Sequence, residues 1–257
     1  MLAHVSIGKG RTCVFLHGFL ESLNMWHSLP VVNLGVHALL IDLPGHGESK
    51  LSKTQSPELG IKQMAIDVIE VLDYLGIEDF DIVGHSMGGY VALEVKRLNV
   101  QCGKVVLLNS NYWTDHPTKV IDRKRIANLV LKSKTFFIQK AIPSLFVEPN
   151  EFKQQVDELI KEANEMDPKA IAHASLAMAS RTDFTEIMAV EDLFVIHGAL
   201  DRLVFSQQFE THKRILAGHF FELKKAGHMS HIESPDEVSA VLDLILNKSS
   251  NVSNTSL

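Results

Sequence analysis

A chain of 257 residues with 46% hydrophobic and 22% charged side chains can bury a full globular core, as one large domain or two small ones. Its formal net charge of −6 argues against a general nucleic-acid binder, which is usually basic, and no apolar run is long enough for a membrane span. The two cysteines, Cys13 and Cys102, lack metal-type spacing and make no disulfide framework, so a reducing, cytoplasmic setting is expected.

In chain order, residues 1–19 contain no basic stretch followed by a long apolar core, and no secretion signal is expected. Short β-branched and aliphatic runs at 3–7, 12–16, 36–41, 80–83, 104–108, 193–196 and 220–223 read as strands, with Gly8-Lys9-Gly10 as a hairpin turn between the first two. The later runs are nearly continuous in apolar residues, as in parallel strands covered on both faces. Helices are predicted over 88–98, over 237–246 and over 61–75, where Met64, Val68, Val71, Leu72 and Leu75 recur at helical spacing before Gly76. Residues 111–190 break this rhythm: no strand pattern occurs, and helices are predicted near 118–132, 133–142, 151–166 and 168–180, punctuated by Pro143 and Pro149.

Alternating strands and helices predict an α/β fold with a doubly wound, mostly parallel sheet. The core is expected from 1–110 and 191–247, a helical insertion between two strands over 111–190, and a flexible polar tail over 248–257. Three Asn-x-Ser sequons at Asn247, Asn251 and Asn254 read as accidents of composition in that polar end.

The stretch Asp81-Ile82-Val83-Gly84-His85-Ser86-Met87-Gly88-Gly89-Tyr90 carries the chemical signal. A strand that reverses into a helix within so few residues forces the middle residue into a strained conformation, and Gly84 and Gly88 clear the space around it. Ser86 is then held out at the carboxyl end of a strand, where open parallel sheets place their ligand crevices, with a helix amino end behind it. A tight turn explains the glycines alone; a nucleophile requires a base and an orienting acid as well. His228 follows the strand at 220–223 and is preferred as base, with His231 in the same loop as its rival. Asp201 follows the strand at 193–196 and is preferred as acid over Asp115; Asp192 lies at the wrong edge. The order Ser86, Asp201, His228 is that of nucleophile-elbow hydrolases. The backbone N–H groups of Met87 and of Phe19, in the loop His17-Gly18-Phe19-Leu20, are the candidate oxyanion donors; His17 reads as structural.

With these residues in hand, the sequence resembles the α/β-hydrolase superfamily. The resemblance rests on His17-Gly18-Phe19, on residues 42–49 (Asp-Leu-Pro-Gly-His-Gly-Glu-Ser), on Gly84-His85-Ser86-Met87-Gly88-Gly89, on His197-Gly198-Ala199-Leu200-Asp201 and on Gly227-His228. These stretches cover most of the chain outside the insertion. The resemblance implies a Ser86–His228–Asp201 triad, an oxyanion hole from Phe19 and Met87, structural roles for Asp42 and His46, and an insertion that caps the site. It also implies that serine at 86 sets the chain apart from haloalkane dehalogenases and epoxide hydrolases, which use aspartate there.

The expected activity is hydrolysis of a small carboxylic ester or thioester with an apolar acyl or alcohol part, by a monomer or homodimer that needs no cofactor and no metal. The same triad could serve carbon–carbon bond hydrolysis, a lyase step of the menaquinone-pathway kind or perhydrolysis, and the fold could serve a receptor with little turnover. His173, His212 and His219 show no ligand spacing. Trp113, Phe137, Phe146 and Met178 are the candidate substrate contacts, with Tyr112, Phe136, Leu145, Met25 and Trp26 as further apolar candidates; core packing explains each equally well. The basic run Lys119, Arg123, Lys124, Arg125, Lys132 and Lys134 reads as a solvated helix face in preference to a site for an acidic substrate, and Arg181 and Arg202 as surface residues in preference to anion contacts.

Overall fold

The strand runs pair as follows in the computed structural model, which describes residues 1–51, 60–99, 101–185, 192–210 and 216–247. The strands are β1 (His4–Gly8), β2 (Thr12–Leu16), β3 (His37–Ile41), β4 (Phe80–His85), β5 (Cys102–Leu108), β6 (Leu193–Gly198) and β7 (Phe220–Leu223). The helices are α1 (Gly60–Leu75), α2 (Met87–Leu98), α3 (Pro117–Ala141), α4 (Lys153–Glu165), α5 (Pro168–Ala179), α6 (Ser230–Glu233) and α7 (Pro235–Asn247). One seven-stranded sheet has the order β1-β3-β2-β4-β5-β6-β7. β1 runs antiparallel to β3, and the other pairings are parallel.

The hairpin expected at Gly8-Lys9-Gly10 does not form, because β3 lies between β1 and β2. The link crosses the start of β3 instead. Gly8 turns with φ +82°, and a Cβ there would stand 2.6 Å from the Val36 carbonyl oxygen. The local sequence carries a reversal signal, but the partner of β1 is supplied by a later strand.

Side-chain alternation divides the sheet between two apolar layers. Val14, Leu16, Leu39, Ile41, Ile82, Val105 and Leu107 pack with Met64, Val68, Val71 and Leu72 of α1 and with Val91 and Val95 of α2. Cys13, Phe15, Leu40, Val83, Val106 and Leu108 face the other way, against Trp26 and against Val238, Leu242 and Ile245 of α7. Both cysteines are buried and free. Gly76 ends α1 with φ +66°, the left-handed stop its position implied.

The insertion between β5 and β6 is helical. α3 contains one non-helical residue, Ser133 (φ −150°, ψ 55°), at the predicted junction between two helices. Val130, Ile138, Ile142, Phe146, Val156, Leu159, Ala163 and Ile171 form a separate apolar cluster, closed toward the sheet by Leu20 and Met229. α5 faces both ways: its Ala174, Ala177 and Met178 join the layer over the sheet. The basic run is not uniformly solvated. The Lys134 ammonium donates to the carbonyls of Asn164 (2.5 Å) and Met166 (2.8 Å) at the end of α4, where cations complement the helix dipole. Asn251, Asn254, His212 and the predicted tail lie outside the described residues.

Candidate active site

The sheet changes winding direction at β2, which has β3 on one side and β4 on the other; crevices in open α/β sheets form at such points. Ser86 stands just past the carboxyl end of β4, at φ 48° and ψ −112°, a region that costs of order 1–3 kcal/mol for a residue with a side chain. The turn is held from several directions. The Ser86 N–H donates to the Leu108 carbonyl (3.0 Å), and its own carbonyl accepts from the Ser110 hydroxyl (2.7 Å). A Cβ on Gly84 would lie 2.3 Å from the Gly88 carbonyl oxygen, and one on Gly88 2.4 Å from that of Leu16, so neither position has room for a side chain.

His228, in the loop after β7, directs Nε2 at the Ser86 hydroxyl (2.9 Å) and Nδ1 at Asp201 Oδ2 (2.8 Å). Asp201 itself is anchored twice over. Oδ1 accepts from the N–H groups of Leu203 (2.8 Å) and Val204 (3.1 Å), and Oδ2 also accepts from the Asn109 amide (3.1 Å). Burial would raise the Asp201 pKa, but the His228 imidazole and these donors outweigh it and hold the carboxyl well below the usual range. Asp201 is therefore a carboxylate, so His228 Nδ1 carries the proton and Nε2 accepts from the Ser86 hydroxyl.

The rival residues are elsewhere. His231 is fully buried between the rings of Trp26 and His85. Neither of its nitrogens has a hydrogen-bond partner among the described residues. Burial, helped by the neighbouring His85 charge, pushes it down to about 3, so it is neutral at ordinary pH. Asp115 is held by Arg123 and by Arg181 (2.9 Å), and Asp192 by Lys96 (2.9 Å) at the opposite sheet edge. His17 accepts from the Leu43 N–H at Nε2 (2.9 Å) and donates from Nδ1 to the Gly18 carbonyl (2.8 Å). Asp42 ties its own loop, through the Glu48 N–H (2.9 Å), to the segment after β2, through the Leu23 N–H (2.7 Å).

A cavity of about 450 Å³ opens over Ser86 and His228. Of the candidate substrate contacts, Phe137 and Met178 line it, and so do Phe19 and Leu145. Trp113 and Phe146 do not. Trp113 packs edge-on against Tyr112 and Phe209, and Phe146 is buried in the helical insertion against Phe152. Phe136 points to solvent at 58% exposure, and Met25 and Trp26 belong to the layer under the sheet. Each is an apolar residue whose face was decided by tertiary packing.

Two arginines also depart from their expected surface roles. Arg181 is buried, paired with Asp115 and placed 4.2 Å over the Tyr90 ring. Arg123 lines the cavity and directs one N–H at the Met178 sulfur (3.1 Å). Arg202 is exposed. His219 stacks on Phe194, and His173 is buried in α5. Among the described residues, no group of histidines, cysteines and carboxylates could hold a metal ion, and no helix is long and apolar enough to cross a membrane.

Sequence reasoning missed Glu21, His85, Asn109 and Ser230. Glu21 and His85 form a buried pair (2.8 Å) beside the triad. Asn109 links Asp201 to the Gly227 carbonyl (2.8 Å) and accepts from the Ser230 hydroxyl. His85 sits inside the elbow and could have been noticed there; the partner across 64 residues leaves no local pattern.

The family model described as "Alpha/beta hydrolase family" matches residues 13–241. The chain belongs to the alpha/beta hydrolase family. It is 25% identical over 249 residues to the dihydrolipoyllysine-residue acetyltransferase component of the acetoin cleaving system of Pseudomonas putida. That match takes in 94% of this chain but 65% of the relative, so the chain spans less than two thirds of that protein. It is 26% identical to the 2-succinyl-6-hydroxy-2,4-cyclohexadiene-1-carboxylate synthase of Escherichia coli O7:K1, over 96% of this chain and 99% of that one. Among solved structures, a thermophilic esterase from Thermogutta terrifontis with malate bound superposes with a TM-score of 0.86 at 24% identity, covering 96% of this chain and 93% of the other. At that identity the likeness concerns the fold. The chain thus has the α/β-hydrolase fold.

Proposed function

We propose that the protein is a serine hydrolase that cleaves small carboxylic esters or thioesters through an acyl-enzyme on Ser86. The observation that carries this reading is the unbroken chain of hydrogen bonds from the Ser86 hydroxyl through His228 to Asp201, open to a cavity with largely apolar walls. His228 Nε2 takes the hydroxyl proton as Ser86 Oγ attacks the acyl carbon. Asp201 stabilises the resulting imidazolium and keeps the ring in the tautomer that can accept. The first-turn N–H of Met87, which has no partner within α2, and the N–H of Phe19 receive the oxyanion; one such donor is worth about 2.7–4 kcal/mol of barrier. The leaving alcohol or thiol departs with the proton from His228. Water then attacks the acyl-enzyme by the same base and frees the acid and Ser86.

Phe137, Leu145 and Met178 suit an apolar acyl or alcohol part. The small-molecule substrate, a cytoplasmic setting and a monomeric or dimeric state belong to the same proposal. A second reading, a lyase or carbon–carbon cleaving step on a carboxylate-bearing substrate, is favoured by the full-length likeness to the synthase and by Arg123 in the cavity wall. The ester reading is preferred because Arg123 is already paired with Asp115.

A fluorophosphonate probe tests the reading directly. It should label the unaltered protein and not Ser86→Ala, and a panel of esters and thioesters of graded acyl length should be turned over by the former alone. Labelling that persists in Ser86→Ala would remove Ser86 from its role.

A further inference from the structure

Beside the triad lies a charged pair that the acyl-transfer steps do not use. Glu21 and His85 are 3% and 1% exposed. Glu21 Oε2 accepts from the Gly18 N–H (2.6 Å) and from His85 Nδ1 (2.8 Å). On the other side of the ring, His85 Nε2 donates to the carbonyl oxygen of His228 (2.9 Å). Both ring nitrogens face acceptors, so both carry hydrogen, and the ring is an imidazolium balanced by the carboxylate. Taking such a pair out of water is costly, and a packed apolar pair of similar volume is often at least as stable. Stability alone therefore does not account for it.

Its placement does. Gly18 precedes Phe19 in the oxyanion loop, His85 precedes Ser86 in the elbow, and the third contact is the backbone of His228 itself. We propose that the Glu21–His85 ion pair is a positioning device for the candidate acyl transfer, clamping the oxyanion loop, the nucleophile elbow and the base loop at one buried point. This rests on the ester-hydrolase reading of the same site. A neutral histidine donates once; only the charged ring can hold a carboxylate and a carbonyl on opposite sides. Losing either link frees one reacting group relative to the others, and a misplacement of about 1 Å can cost about 100-fold in rate.

The titratable groups facing His85 are the Glu21 carboxylate, the His228 ring at 5.2 Å, the His231 ring at 4.8 Å and, through His228, Asp201. His17 acts on Glu21 in turn. Burial pushes the His85 pKa down, and the Glu21 charge and hydrogen bond more than reverse it, so it ends above the ordinary histidine value. At alkaline pH the ring loses a proton and one of its two links.

The test is steady-state hydrolysis of p-nitrophenyl butyrate by the full chain, as kcat and KM against pH, for the unaltered protein, Glu21→Gln, Glu21→Asp and His85→Gln. The two Gln variants should lower kcat by about 10–100-fold while KM moves far less. The unaltered protein should lose kcat on its alkaline side. That limb should vanish in Glu21→Gln, whose His85 is already neutral, and Glu21→Asp should recover part of the rate. A folded Glu21→Gln with the kcat and pH profile of the unaltered protein would overturn the positioning role. If neither Gln variant folds, a flat alkaline limb in the unaltered protein overturns it equally. An unaltered protein that no fluorophosphonate labels would sink the ester-hydrolase reading, and this role with it.

Discussion

Ser86 and Phe137 face the same cavity, but from regions that hold their residues differently. Around Ser86 the backbone does the work. The φ of 48°, two glycines without room for a Cβ, and hydrogen bonds to β5 and Ser110 leave one place for the hydroxyl. Phe137 sits on a helix of the insertion, and its orientation depends on side-chain packing in a cluster with a core of its own. On the proposed ester-hydrolase reading, the edge of the sheet fixes the chemistry and the insertion fixes what reaches it. Substitutions at the edge should change rate, and substitutions in the insertion should change preference or stability.

The largest effects should come from the edge. His228→Ala should lower kcat for ester hydrolysis by about 10⁴–10⁶-fold, and Asp201→Asn by about 10⁴-fold through the wrong imidazole tautomer. His231→Ala should cost less than about 10-fold, since neither ring nitrogen has a partner among the described residues. Stopped assays on one ester decide it: a severe His231→Ala beside a mild His228→Ala would reverse the assignment of the base.

The next effect belongs to the insertion. Phe146 is 1% exposed and stacks on Phe152 away from the cavity. Phe146→Ala should cost about 3–5 kcal/mol of stability by leaving a void, read as a lower midpoint in urea. The ratio of rates on short and long acyl esters should stay as it is. A change in that ratio would mean that the interior of the insertion shapes the cavity and that the two regions are not separable.

This contrast also explains what was legible in the sequence. The elbow around Ser86, the positions of Asp201 and of His228 each just past a strand, and the break at Ser133 are local features, since glycine spacing and apolar periodicity write them into short windows. The partner of β1 was not legible, because Gly8-Lys9-Gly10 specifies a reversal but not which strand comes to lie beside it. Trp113 and Phe146 could not be told from Phe137 and Met178, since packing against a neighbour and lining a cavity demand the same residue types. The Glu21–His85 pair escaped for a related reason: its partners meet only when β2 and β4 lie side by side.

Acid stability separates the two histidines of the base loop in another way. His231 is held down to about 3 in the folded protein, mainly by burial, against about 6.5 in an unfolded chain. Below that unfolded value the unfolded chain takes up a proton that the folded form refuses, so stability falls as pH drops from about 6.5 toward 3. Between pH 7 and 5 this one group should cost about 2 kcal/mol. His46, also held to about 3 by burial and by the nearby His17 charge, adds a loss of the same sign. Urea midpoints for His231→Phe should therefore fall less between pH 7 and 5 than those of the unaltered protein. Parallel pH profiles would show that His231 takes a proton in the folded state.

The smallest effect sharpens the comparison most. Phe137 and Met178 approach the cavity from α3 and α5, and Arg123 directs an N–H at the Met178 sulfur. Removing the Phe137 or the Met178 side chain widens the cavity at its apolar wall without touching the triad. A methylene in such a wall is worth about 1–3 kcal/mol of discrimination. Phe137→Ala and Met178→Ala should therefore move the relative kcat/KM for hexanoyl against acetyl esters by about 10-fold, toward the bulkier chains that the widened cavity admits. If neither variant alters the preference while kcat falls for every ester alike, the insertion is acting on the geometry of the sheet edge. Rate and selectivity would then be set by one region.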